Sequence, residues 1–128
     1  MENFYQILCC DEKRFRVFLN HHNPDVIKKF VEINKDPKAF KKFILVIEAI
    51  KVNNFTTQQY NFEGKSTLGN VFAIKVDRHR FYTLQMTNGN YREIFICRYG
   101  KKESQKNDKE LTTTIKSIDK IEIQKIEL

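Results

Sequence analysis

RFYTLQMTNGNYREIFICRYG, residues Arg80–Gly100, is the stretch that decides how this chain folds. Two runs rich in aromatic and β-branched residues flank Thr87-Asn88-Gly89-Asn90, and Asn-Gly between such runs is the strongest short hairpin signal. A two-residue turn at Asn88-Gly89 sets Met86 opposite Tyr91, Leu84 opposite Glu93, Tyr82 opposite Phe95 and Arg80 opposite Cys97. Upstream, Val71 to Val76 reads as a further strand, joined through Asp77-Arg78. A two- or four-residue join there keeps Lys75 and Arg80 on one side of the sheet; a three-residue join separates them. In this register one face carries Phe72, Ile74, Val76, Phe81, Ile94 and Ile96, apolar enough to be the core. The other carries Lys75, Arg80 and Tyr99, with Arg78 nearby, over a floor of Ala73, Tyr82, Phe95 and Cys97.

Working outward, Arg14 to Leu19 alternates as a first strand. Asn23-Pro24 and Asp36-Pro37 each set a capping side chain before a proline at the first helical position. The first helix presents Val26, Ile27, Phe30 and Val31 on one face. The second presents Phe40, Phe43, Ile44, Ile47 and Ile50, with Lys38, Lys41 and Lys42 outside the stripe. So short a connection predicts an antiparallel helical hairpin. Asn53 to Gly69 is polar and reads as a surface loop; its Gly64-Lys65-Ser66-Thr67 lacks the glycine spacing of a phosphate-binding loop. Beyond Lys106, Leu111, Ile115, Ile118 and Ile121 stand at helical spacing, while Glu122 to Leu128 can extend the helix or form a strand. The expected fold is α+β: an N-terminal strand, an antiparallel helical hairpin, a twisted antiparallel three-stranded meander and a C-terminal helix. Residues 1–13 are read as an N-terminal extension and residues 14–128 as one domain.

Composition narrows the function. Of 128 residues, 41% are hydrophobic and 30% charged, which suits one domain with a modest core. The formal net charge of +7 favours polyanionic partners. Cys9, Cys10 and Cys97 form no disulfide framework and no zinc spacing, which points to a reducing compartment. The first ten residues lack the pattern of a secretion signal, and no run approaches the roughly 20 apolar residues that cross a bilayer. A cytoplasmic protein without membrane association is expected. No paired carboxylates, Ser/His/Asp set or metal-ligating cluster offers a rival chemistry, so neither cofactor nor metal is expected. Cations beside aromatic rings suit RNA cleavage through the 2′-hydroxyl, in which extra negative charge develops on phosphorus and unpaired bases can stack.

Four short segments carry a family likeness. Phe62-Glu63-Gly64 precedes Val71-Phe72-Ala73-Ile74-Lys75-Val76, then His79-Arg80-Phe81-Tyr82, and the basic Gly100-Lys101-Lys102-Glu103-Ser104-Gln105-Lys106 precedes the last helix. Their order resembles the RelE/ParE superfamily of bacterial toxins, particularly its RelE- and HigB-like branches, over Arg14 to Ile121. That resemblance implies a RelE-like fold and a type II toxin that cuts messenger RNA, usually on the ribosome, without a metal and under the control of a cognate antitoxin. Lys75, Arg80 and Lys102 match basic catalytic positions, and Lys101 is the alternative to Lys102. Where the family has a second lysine this chain has Ala73, and it lacks the family's proton-transfer residue. Tyr99 or His79 is the candidate to fill that role. Arg78, His79, Arg98, Lys101 and Lys106 complete the expected RNA-binding set. Two other functions fit the same residues: a ParE-like poison of DNA gyrase, and a non-catalytic nucleic-acid-binding module.

Overall fold

A computed structural model describes residues 1–101 and 108–127. Strands β1 (Glu2–Cys10) and β2 (Phe15–Asn20) lead into helices α1 (Pro24–Lys35) and α2 (Pro37–Lys51). Strands β3 (Tyr60–Ser66), β4 (Gly69–Val76), β5 (His79–Asn88) and β6 (Tyr91–Lys101) follow, then α3 (Asp108–Asp119) and β7 (Ile123–Ile126). The strands form one seven-stranded sheet in the order β3-β4-β5-β6-β2-β1-β7. β3 to β6 are antiparallel neighbours, whereas β2 lies parallel to β6 and β7 parallel to β1.

This architecture overturns the expected RelE-like arrangement of a helical hairpin on a three-stranded meander. The sheet dominates, and three strands lie beyond the expected set. Glu2–Cys10, read as an extension, is β1, hydrogen-bonded between β2 and β7. Its alternation is masked because a bulge between Gln6 and Leu8 switches the apolar side chains from one face to the other. Tyr60–Ser66, read as surface loop, is the edge strand β3, where Tyr60 is buried among polar neighbours. Of the two options left open for the C-terminal segment, Ile123–Ile126 takes the strand.

The helix starts follow their local chemistry. Asn23 accepts a hydrogen bond from the Val26 amide, and Asp36 accepts from the amides of Lys38 and Ala39. Both satisfy amides that have no partner inside the helix. Asp36→Ala should therefore cost about 1 kcal/mol in urea unfolding. The buried stripe of α2 is Ala39, Phe43, Val46, Ile47 and Ile50, while Phe40 and Ile44 stand exposed beside an apolar groove of about 360 Å³ that Ile7 and Leu8 help to line.

Each face of the sheet is covered. The α1–α2 hairpin packs Val26, Ile33, Phe43 and Ile47 over Val17, Ile74, Val76, Phe81, Ile94 and Ile96. On the opposite face, α3 brings Ile118 over Phe4, Phe18, Val71, Leu84, Phe95 and Cys97. A sheet covered on both sides needs apolar side chains on both faces, so its strands lose clean alternation. Gly64 makes the close approach of α3 to β3 possible: a Cβ there would lie 2.9 Å from Ile115 Cδ1.

Candidate functional site at the β4–β5 turn

The site begins with two turns. Asp77 and Arg78 make a two-residue connection between Val76 and His79, with Asp77 at φ +54° and its carboxylate paired with Lys42 of α2. Lys75 consequently sits directly opposite Arg80, both half-buried and on the α3 side of the sheet. At the other hairpin, Gly89 and Asn90 form the turn in place of Asn88-Gly89, because Gly89, at φ +60°, takes the first central position. The pairing moves by two residues, to Met86 opposite Glu93, and preserves the faces.

A bulge then changes them. Thr83 pairs with Ile96 but Tyr82 pairs with Arg98, so Cys97 is an extra residue in β6. Beyond it every side chain of β6 changes sides. Tyr99 lies opposite Phe81 on the α1 side, and Gly100 in place of Cys97 lies opposite Arg80. The expected grouping of Tyr99 with Lys75 and Arg80 on one face does not form. Its expected floor is likewise closed: Ala73 is buried, and Phe95 and Cys97 lie in the core beneath α3.

Two clusters therefore meet at the end of the sheet. On the α3 side are Lys75, Arg80 and the half-buried Tyr82, whose ring Gly100 admits; a Cβ at Gly100 would stand 3.0 Å from Tyr82 Cε2. Burial, followed by the nearby charge of Glu63, pushes the Tyr82 phenol above its ordinary pKa. Arg80 Nη1 donates to the carbonyls of Asp77 at 2.7 Å and His79 at 3.0 Å, which folds the guanidinium back onto the turn.

On the α1 side, His79 Nδ1 is hydrogen-bonded to Tyr99 Oη. The Tyr99 ring packs edge-on to Phe81 at 5.3 Å between centroids, and Lys29 Nζ of α1 lies 5.6 Å from its centroid. Lys29 also pairs with Glu32 at 3.3 Å. Burial, then the Lys29 charge, lowers the His79 pKa below its ordinary 6.5, which favours neutral imidazole at neutral pH. Burial and then Glu32 raise that of Tyr99. Lys101 lies opposite His79 and is exposed, as is Arg78 at the turn.

Arg98 has another role. Its guanidinium donates to both carboxylate oxygens of Glu2, at 3.0 and 3.3 Å, and to Ser117 Oγ at 3.1 Å, so it ties β6 to β1 and α3. Burial raises the Glu2 pKa, but the hydrogen bonds from Arg98 and Asn20 and the Arg98 charge outweigh it and hold the carboxyl below its usual 4.5. A depressed carboxyl stabilises the fold above its unfolded pKa and loses that contribution as the pH falls through its folded one. Stability measured by urea should thus drop on acidification below about pH 4.5, and Glu2→Gln should flatten that part of the profile. Lys102 and Lys106 lie outside the described residues.

Lys29 and Glu32 escaped the sequence reading because lysines on a helix face look like ordinary solvated charges; only the packing of α1 against the end of β6 distinguishes them. Among the described residues, no group of three or more His, Cys, Asp or Glu is placed to hold a metal ion, and no helix is long and apolar enough to cross a membrane. Comparison with protein-family models, with curated proteins and with solved structures finds no match.

Proposed function

We propose that this protein is an endoribonuclease that binds single-stranded RNA over the β4–β5 turn and cuts it there, acting as a translation-inhibiting toxin. The observation that carries this reading is the cross-strand pair of Lys75 and Arg80 beside Tyr82, at a sheet end that also presents Arg78 and Lys101. Two adjacent cations can hold a phosphate, and a cation fixed by the backbone stabilises charge developing on phosphorus without reorganising. Arg80 is held in that way by two carbonyls. A phenol ring beside them offers a face to an unpaired base.

Messenger RNA is the proposed substrate, with the ribosome as its carrier and the cytoplasm as its compartment. The cognate antitoxin is proposed as the controlling partner, for which a basic, RNA-facing end supplies an electrostatic target. Those assignments rest on the resemblance of short motifs and on the net charge of +7.

The test is induced expression with mapping of transcript ends, wild type beside Arg80→Ala. Growth arrest with discrete new RNA ends, both relieved by Arg80→Ala, is the expected result. Arrest with intact transcripts and a DNA-damage response would point to a gyrase poison. Salt-sensitive RNA binding without cuts or arrest would reduce the protein to a binding module.

A further inference from the structure

We infer that His79 is the proton acceptor of the cleavage reaction, positioned by Tyr99, and that Lys29 of α1 flanks the scissile phosphate on the same side. This inference rests on the RNA-cleaving reading above and adds an imidazole, a group suited to accept a proton, to the cations of the Lys75–Arg80 pair.

The geometry comes from one peptide unit. His79 and Arg80 are neighbours at the start of β5, so their side chains leave opposite faces of the sheet. Yet Arg80 Nη1 bonds to the His79 carbonyl at 3.0 Å, which draws the guanidinium back to the same tip. A phosphate lying over the tip meets the guanidinium from one side and the imidazole from the other. The Tyr99 hydroxyl holds the imidazole through Nδ1. With Nδ1–H donating to Tyr99 Oη, the lone pair lies on Nε2, the nitrogen that remains to meet substrate.

The step balances without another cofactor. His79 Nε2 takes the proton of the 2′-hydroxyl as the 2′-oxygen bonds to the adjacent phosphorus. The bond from phosphorus to the 5′-oxygen breaks, and that oxygen takes a proton from water. The products are a 2′,3′-cyclic phosphate and a 5′-hydroxyl end, and the imidazolium returns its proton to solvent. Lys29 and Lys101 supply positive charge on the His79 side, as Lys75 and Arg80 do on the other. Burial and then Lys29 of α1 lower the His79 pKa, with Lys101 of β6 acting the same way and Glu32 of α1 and Asp77 of the turn opposing them; Tyr99 of β6 bonds its Nδ1, and Lys42 of α2 pairs with Asp77.

Purified wild type, His79→Asn and Tyr99→Phe should be compared in single-turnover cleavage of a short unstructured RNA across pH, with binding to a 2′-deoxy analogue measured alongside. Wild-type cleavage should rise with pH and level off, with its midpoint below the ordinary histidine value of 6.5. His79→Asn should bind the analogue as wild type does but cut at least about 100-fold more slowly, with the acid limb gone. Tyr99→Phe should keep the limb but displace its midpoint, which a purely structural tyrosine would not do. If wild type cuts and His79→Asn cuts equally well, or if wild type shows no acid limb at all, the inference is overturned while the RNA-cleaving reading stands. A wild-type protein that cuts no RNA overturns that reading itself.

Discussion

Phe95→Ala should lower folding stability by about 3–5 kcal/mol, the range for emptying a large aromatic site in a packed core. Phe95 is 2% exposed, stacks on Phe18 at 4.9 Å between ring centroids and meets Phe4 edge-on at 5.6 Å. All three lie beneath α3 in the second core. Such a loss is a large share of the roughly 5–15 kcal/mol by which a domain is stable, so the variant should unfold at a clearly lower urea concentration. This prediction separates two views of the same strand. Were Phe95 part of an open floor for RNA, its removal would weaken binding and leave stability nearly unchanged.

Arg80→Ala should reduce RNA cleavage by roughly 100- to 1,000-fold, the usual cost of deleting one preorganised group that stabilises transition-state charge. The fold should survive, because among the described residues the guanidinium hydrogen-bonds within its own turn, to the Asp77 and His79 carbonyls. Binding should become less salt-sensitive by about one phosphate contact. Arg98→Ala offers the contrast. Because Arg98 holds Glu2 and Ser117, it should lose stability before it loses RNA affinity. Equal cleavage by wild type and Arg80→Ala would remove the phosphate-holding role of the β4–β5 pair.

Local chemistry was readable in advance; long-range layering was not. The two proline-preceded caps announced α1 and α2 because a cap acts within a few residues of itself. Strands β4, β5 and β6 were equally legible, and the parity of a two-residue turn correctly joined Lys75 to Arg80. What failed was the step from β6 to the site. A bulge of one residue at Cys97 leaves no mark in composition, yet it carries Tyr99 to the opposite face.

The missing strands failed for a different reason. β1 and β3 take their identity from what packs beside them: β1 lies between β2 and β7, the latter more than a hundred residues on, and β3 is held by the adjacent β4 and the approach of α3. A polar edge strand such as Tyr60–Ser66 resembles a loop until its neighbour is known. The second core was hidden because Phe95 and Cys97 look equally suited to a solvent-facing floor until α3 covers them. Sequence thus located the basic end of the sheet, while the division of its residues between two faces emerged only with the bulge and the helices.

The most direct measurement is mapping of RNA ends after incubation of purified protein with a defined transcript. Discrete cuts bearing 5′-hydroxyl ends, made by wild type and absent with Arg80→Ala, are the predicted result. A transcript that stays intact with folded wild-type protein, alone and on translating ribosomes, would contradict the account.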